Sequence, residues 1–344
     1  MLKAGQKLAL YCEGALGEYT GKMAHGLLMY SPNPVVCAVD SRHAGKDARE
    51  VVAVSRPCPV VASIEESLRL GAEVLVLGVA TPGGYIPPDW FDALDRAAAS
   101  GMSLVNGLHQ PLSPRYQDLK PGQWVWDVRV EPSGLEVATG QAAKLGNRRV
   151  LMAGTDMSIG KMTAGLEIVK AARERGVRAE FVATGQIGVV ISGRGVALDA
   201  VRVDFASGAV EREVLACRDA ELLVVEGQGS LVNPSSSANL PLTRGAIPTH
   251  LVLCHQAGKK VLRRFPEIRV PPLDQLVRLH QDLAEACGSF PRPKMAGLCL
   301  NTSHLAPDEA EKALKEAEVR YGWPCTDPVR FGASKIVDAL FGVG

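Results

Sequence analysis

The chain is short of the features that announce a protein class at a glance. Charge of one sign is not in excess: 38 Lys and Arg stand against 37 Asp and Glu, a net charge of +1 over 344 residues. That argues against a broad polyanion-binding face, and no nucleic acid is expected as a partner. No C-x-x-C pair occurs among the 8 cysteines, most of which sit in apolar runs such as Val35-Val36-Cys37-Ala38 and Leu253-Cys254. They read as buried free thiols in a reducing compartment, not as disulfides or a zinc site. Long hydrophobic runs are missing as well. None reaches membrane-span length, and the leading stretch MLKAGQKLALYCEG is short and polar for a secretory signal. The expectation is a cytoplasmic protein with a small-molecule substrate and no membrane partner.

What is present can build a large core. Hydrophobic residues make up 47% and charged residues 22% of the chain, enough to fold without staples. A chain of this length should form about two domains. The most informative stretch is RVLMAGTDMSIGKMTAGLEI, residues 149–168. A short apolar run leads into a glycine-bounded loop, and a helical pattern follows with Met162, Leu166 and Val169 on one side. Strand, loop with a lysine, then helix is the arrangement that cradles phosphate. Gly154 and Gly160 let the backbone turn, the helix start adds the positive end of its dipole, Lys161 supplies a mobile charge, and Thr163 a hydroxyl for Mg²⁺. The match to the usual phosphate loop is imperfect. Five residues, 155–159, separate the glycines where four are usual, and Met162 intervenes between Lys161 and Thr163.

Upstream, strands are expected at 7–11, 35–39, 59–62, 74–79 and 103–105, with helices at 64–70 and 89–100 and from Lys22 through Leu28. Alternating strands and helices imply a parallel sheet covered on both faces. A glycine-rich turn after the first strand and Asp40 after the second give a Rossmann-like layout, although a clean G-x-G-x-x-G is missing. Asp40 could hold a ribose hydroxyl or cap a turn. Residues 21–27, GKMAHGL, echo residues 160–166, GKMTAGL. The echo reads as an old duplication of a phosphate-binding unit or as chance. Alternation around Trp124, Val125 and Trp126, followed by Pro132-Ser133-Gly134 and a second alternation through Val137, predicts a hairpin over 123–143 that closes the first domain. Residues 140–148 then read as the linker. The fold class is therefore α/β, with a Rossmann-like domain over 1–143 and a P-loop NTPase-like, doubly wound domain over 149–344.

In the second domain, strands are expected at 179–183, 222–225, 250–254 (with His255 at its end) and 295–300. Helices are expected at 210–218, 272–286, 307–321 and 333–341, and Asp204-Phe205 before the first of them. Leu222-Leu223-Val224-Val225 ends in Glu226-Gly227-Gln228-Gly229. Four apolar residues ending in a carboxylate resemble a Walker-B-type strand, which holds an acid opposite the phosphate loop. Arg263, Arg264 and Arg269 form a small basic cluster, either plain surface or a grip for an anion.

These motifs carry two resemblances. Gly154-Thr155-Asp156 with Gly160-Lys161 and Thr163, Val225-Glu226-Gly227 with Gly229, and Asn301 at the end of a late strand resemble dethiobiotin synthetase and related P-loop amidoligases, where such an asparagine reads adenine. Met162, Gln228 and the whole first domain depart from that pattern. A closer, nearly full-length resemblance is to the D-glutamate N-acetyltransferase-like family, once a domain-of-unknown-function family. Its shared pieces are residues 154–163, Ala183-Thr184-Gly185-Gln186, Val225-Glu226-Gly227-Gln228-Gly229-Ser230-Leu231 and Leu300-Asn301-Thr302. This resemblance implies acetyl-CoA as donor and D-glutamate as acceptor.

On that basis Gly154, Thr155, Asp156, Ser158, Gly160, Lys161, Met162, Thr163, Gly227 and Asn301 are expected to bind the cofactor. Glu226 or Asp204 would deprotonate the amine, and Gln186 and Gln228 would position substrate or polarise the thioester carbonyl. If the occupant is instead ATP with Mg²⁺, Thr163, Asp156 and Glu226 would hold the metal. The protein would then be a carboxylate–amine ligase or a small-molecule kinase. A nucleotide-binding regulatory protein is the third reading. A homo-oligomer is the default for such enzymes.

Overall fold

A computed structural model describes residues 2–342. By contact, the described chain divides into two units. The first comprises residues up to Glu131 together with Gln186–Ala200, and the second Pro132–Gly185 together with residues from Val201 onward.

The first unit holds a six-stranded sheet in the order β3-β2-β1-β4-β5-β6. Its strands are β1 (Leu8–Tyr11), β2 (Val35–Val39), β3 (Val60–Val61), β4 (Val74–Leu77), β5 (Ser103–Asn106) and β6 (Val125–Asp127), and all pair in parallel. This is the Rossmann order. Every residue of β1 and β4 is buried, because helices cover both faces of a parallel sheet, and the strands read as continuous apolar runs.

One expectation fails here, and two that left alternatives open are decided. The predicted hairpin over 123–143 is a single parallel edge strand, β6; the alternation of Trp124, Val125 and Trp126 serves an edge as well as a hairpin. Asp127 ends β6 and turns the chain by accepting from Asn106 Nδ2 and the N–H groups of Leu112 and Ser113. Asp40 is fully buried and accepts hydrogen bonds from the N–H groups of Gly14, Leu16 and Arg42. It organises the glycine-rich loop after β1, and no oxygen is left over for a ribose. The echo at residues 21–27 is sequence without geometry: Gly21 has φ −73°, and Lys22 Nζ sits 5.8 Å from the Tyr19 ring centroid.

The helix Gln186–Ser192 also belongs to this unit and packs against the helix Lys22–Tyr30. Its β-branched residues (Ile187, Val189, Val190, Ile191) argue against a helix by propensity, but all except Ile187 are buried, and burial overrides a weak local preference.

The second unit holds β7 (Arg148–Gly154), β8 (Ala179–Val182), β9 (Leu222–Val225), β10 (His250–Gln256), β11 (Lys294–Asn301) and β12 (Cys325–Thr326). The sheet order is β12-β11-β10-β7-β9-β8, again all parallel. After β7 the chain crosses by the helix Lys161–Glu174 to the edge strand β8. After β10 it winds the other way, to β11. The winding therefore reverses between β7 and β10, and ligands bind in open α/β sheets outside the strand ends at such a reversal.

Residues 140–148, read as a linker, are anchored. The buried Glu211 carboxylate accepts from Thr139 N at 2.6 Å, Thr139 Oγ1 at 3.1 Å and Ala142 N at 3.3 Å, and Gln141–Lys144 form a turn of 3₁₀ helix. A Cβ on Gly208 would overlap the Glu136 carbonyl oxygen, so the segment lies directly on the helix Val203–Ala216. That helix starts earlier than expected and includes Asp204 in its first turn. The helix Asn239–Ala246 has no counterpart among the expected elements, and it contains both Pro241 and Gly245. Proline sits near its start, where no N–H is missed, and a Cβ on Gly245 would overlap the Ser207 carbonyl oxygen.

Candidate functional site

The site begins at the C-terminal end of β7. The loop from Thr155 to Gly160 reverses direction using two left-handed residues, Ser158 at φ 53° and Gly160 at φ 104°. Gly160 takes that conformation at no steric cost, whereas Ser158 is a non-glycine in a rarely used region. The helix Lys161–Glu174 starts immediately after. Lys161 is buried between two glycines. A Cβ on Gly154 would fall 2.9 Å from Lys161 Cδ, and one on Gly227 would fall 3.1 Å from it and overlap the Met152 carbonyl oxygen. The glycines at the ends of β7 and β9 thus open the channel in which the lysine stem lies. Lys161 Nζ donates to the Asp156 carbonyl oxygen at 2.8 Å. Burial lowers its pKa to about 8, opposed by Cys254, Asp156 and Glu226 nearby. An ammonium desolvated this far gains strongly from an arriving phosphate.

Asp156 does not have the character of a metal ligand. It is buried and accepts from Met157 N at 2.8 Å, Asn233 Nδ2 at 2.9 Å and Arg263 N at 2.9 Å. Lys259 Nζ lies 3.2 Å from it. Burial alone would raise its pKa, but these donors outweigh burial and lower it. Its lone pairs are taken by the loops it holds together.

Glu226 is placed by the ladder, its N–H donating to Val182 O. Its Oε2 accepts from Thr184 N and Gly185 N, both at 3.0 Å, while Thr184 Oγ1 donates to Glu226 O at 2.7 Å. Gln228 Nε2 donates to Thr184 Oγ1 at 3.3 Å, and a Cβ on Gly185 would fall 2.6 Å from the same nitrogen. Burial raises the Glu226 pKa to about 7 in spite of these donors and Lys161. Glu226 and Gln228 together clamp the Thr184-Gly185 turn.

Asn301 ends β11 and donates to Ile159 O at 3.5 Å, while its Oδ1 accepts from Ser303 N at 3.1 Å. Beside it lies a cavity of about 270 Å³, lined by Gly160, Thr163, Cys254, Cys299, Asn301 and Val329 among others. The expected Gly160, Thr163 and Asn301 therefore share one cavity, with Lys161 buried next to it. Neither Gln186 nor Asp204 is among the residues that line this cavity. Gln186 belongs to the first unit and lies against Gly107. Asp204 is exposed in the first turn of its helix, where an acid complements the helix dipole.

No motif in the sequence marks a role for His255, Asn233 or Lys259. His255 Nδ1 lies 2.9 Å from Thr155 Oγ1. The one signal for it was its place at a strand end, and the Lys259-Lys260 dipeptide gave none. Among the described residues, no group of three or more His, Cys, Asp or Glu side chains could hold a metal ion, and no helix is long and apolar enough to cross a membrane.

Residues 136–337 match a family described as a domain of unknown function, the DUF1611_C P-loop domain, and residues 41–131 match its partner, the DUF1611_N Rossmann-like domain. A relative from Tritonibacter scottomollicae named D-glutamate N-acetyltransferase is 38% identical over 82% of this chain and 85% of its own length. A second relative of that name, from Pseudoalteromonas sp, is 35% identical over 81% and 84%. The crystal structure of a DUF1611 family protein from Anabaena variabilis is similar with a TM-score of 0.94 at 46% identity, covering 98% of this chain and 99% of that one.

Proposed function

The chain belongs to the DUF1611 family, a Rossmann-like domain joined to a P-loop domain, and from that premise we propose that it is an N-acetyltransferase moving acetyl from acetyl-CoA to the amine of D-glutamate. One observation carries the reading in this chain's own geometry: a phosphate loop whose lysine is buried and desolvated opens onto a cavity of about 270 Å³ edged by Asn301. CoA has a pyrophosphate for such a loop and an adenine for such a cavity. Loop amides and Lys161 hold the phosphates; Cys254, Cys299 and Val329 offer apolar contact to the base; Asn301 reads its edge. Glu226 and Gln228 keep the Thr184-Gly185 turn in place, as positioning residues.

The ATP–Mg²⁺ ligase or kinase reading asks for a carboxylate free to meet the metal or its waters. Asp156 is saturated by Lys259, Asn233 and two N–H groups, and Glu226 spends Oε2 on Thr184 and Gly185. That favours a phosphate ligand held without a protein-bound metal. The test is a thermal-shift comparison of acetyl-CoA, ATP–Mg²⁺ and NAD, followed by thiol release from acetyl-CoA with D- or L-glutamate. Acetyl-CoA should stabilise the protein as RT ln(1 + [L]/Kd), and D-glutamate should release thiol. Stabilisation by ATP–Mg²⁺ alone would replace the proposal with the ligase reading.

A further inference from the structure

The second sheet has another cavity, on the opposite face of its C-terminal edge. Successive strand residues point to opposite faces. On β10, Cys254 lines the cavity beside Asn301, whereas His255 lines the other; on β11, Cys299 and Asn301 divide from Leu298 and Leu300 in the same way. The second cavity holds about 830 Å³. The phosphate loop reaches both sides. Gly160 and Thr163 line the first cavity, while Thr155 Oγ1 bonds His255 and Asp156 pairs with Lys259 on the second.

The charges around this cavity are unequal. Lys259, Lys260, Arg269 and Arg320 line it, and Glu316 is the one acid among the lining residues. Lys259 is met by Asp156, and Arg320 lies over the Tyr321 ring at 5.2 Å. Lys260 and Arg269 are exposed and have no acidic partner among the described residues. Among the described residues, Glu316 has only a long 3.9 Å pair with Lys312. Surplus cations with a single carboxylate complement a molecule that carries two carboxylates and one ammonium. At the floor, His255 is 9% exposed. Its Nδ1 is engaged with Thr155 Oγ1 at 2.9 Å, and among the described residues Nε2 has no hydrogen-bond partner. Burial, reinforced by Lys259, holds the imidazole neutral by lowering its pKa to about 4. With the proton on Nδ1, facing Thr155, the Nε2 lone pair is open; arriving carboxylates would offset Lys259 and raise its basicity.

We propose that this cavity is the acceptor site, in which Lys260 and Arg269 hold the carboxylates of an acidic amino acid and His255 Nε2 takes a proton from its ammonium. The assignment rests on the acetyl-transfer reading above. The freed amine nitrogen attacks the thioester carbonyl carbon and forms the C–N bond. The C–S bond breaks, its electron pair leaves on the CoA sulfur, and the sulfur takes the second amine proton. The third stays on nitrogen as the amide N–H, and His255 passes its proton to water.

Binding and turnover are measured separately on the full chain. Isothermal titration with D-glutamate should show the K260A/R269A double variant weakened by about tenfold or more, as expected for lost charge-assisted bonds, with acetyl-CoA affinity unchanged. Both side chains are exposed, so the variant should melt like the wild type. His255→Gln should keep D-glutamate binding and lose about 100-fold or more in kcat. Wild-type D-glutamate affinity in K260A/R269A, or loss of acetyl-CoA binding instead, overturns the acceptor site. So does a wild type that binds no D-glutamate. Undiminished kcat in H255Q removes the base. If the wild type binds D-glutamate through these cations yet transfers no acetyl group, the acetyl-transfer reading fails while the cavity assignment stands.

Discussion

Replacing Lys161 by methionine should make the ligand-free protein more stable while abolishing its ligand response. Burial takes the ammonium from its ordinary value of 10.5 to about 8, a lowering that corresponds to roughly 3 kcal/mol against the charged form. Methionine keeps the stem that lies between Gly154 and Gly227 and removes the charge. It also leaves the Asp156 carbonyl oxygen without its 2.8 Å donor, which costs about 1–2 kcal/mol. The net expectation at pH 7 is a gain of about 1–2 kcal/mol. Because the folded pKa is lowered, the unfolded chain binds more protons between about pH 8 and 10.5. Wild-type stability therefore climbs through that window relative to K161M, and the advantage of the variant is largest below pH 8 and fades above it. Urea denaturation of both proteins from pH 7 to 10 measures this difference directly. Acetyl-CoA at 100 times its Kd should stabilise the wild type by about 2.7 kcal/mol and the variant not at all. A variant less stable than wild type at pH 7, with a difference that does not change with pH, would refute the desolvation argument. An undiminished acetyl-CoA shift would refute the phosphate loop.

Gly227→Ala drives a Cβ into the Met152 carbonyl oxygen on the central strand, and chemical denaturation should show a loss of about 3 kcal/mol. Glu211→Ala strands the N–H and hydroxyl of Thr139 and the N–H of Ala142; a loss of about 3 kcal/mol is expected, together with faster proteolysis within 132–147. Asn301→Ala should weaken acetyl-CoA about tenfold in calorimetry without altering D-glutamate affinity. His280 is buried and, among the described residues, its Nε2 has no hydrogen-bond partner; burial, then Lys161, lowers its pKa from 6.5 to about 4. The unfolded chain takes up that proton first on acidification, so wild-type stability falls as pH drops from 6.5 to about 4. His280→Leu should flatten that fall in paired thermal melts.

Much of the fold could be read from local pattern. The strands Val35–Val39 and Leu222–Val225 coincide with their apolar runs, because a parallel strand covered on both faces needs nothing but apolar residues. The phosphate loop was legible through Gly154, Gly160 and Lys161, whose roles depend on near neighbours in the chain. The elements that escaped are those whose local signals point the wrong way. Asn239–Ala246 carries a proline and a glycine, and the glycine is there for the Ser207 backbone, not for a break. Gln186–Ser192 is rich in β-branched residues and is helical because its buried face has a neighbouring helix to pack on. The supposed strand after Pro132 is a strap held by Glu211, which lies 72 residues beyond Thr139.

Neighbouring residues alone specify the alternation of buried strands and covering helices, and the glycine-turned loop that ends in a lysine. Periodicity, apolar run length and backbone freedom are properties of neighbouring residues. The folded arrangement makes Asp156 a tie between loops, since its partners Asn233 and Arg263 are 77 and 107 residues away. It alone put His255 against Thr155, 100 residues earlier, with a ring of cations around it. That meeting depends on β10 pairing with β7, a consequence of which strand lies beside which, and chain order does not encode sheet order.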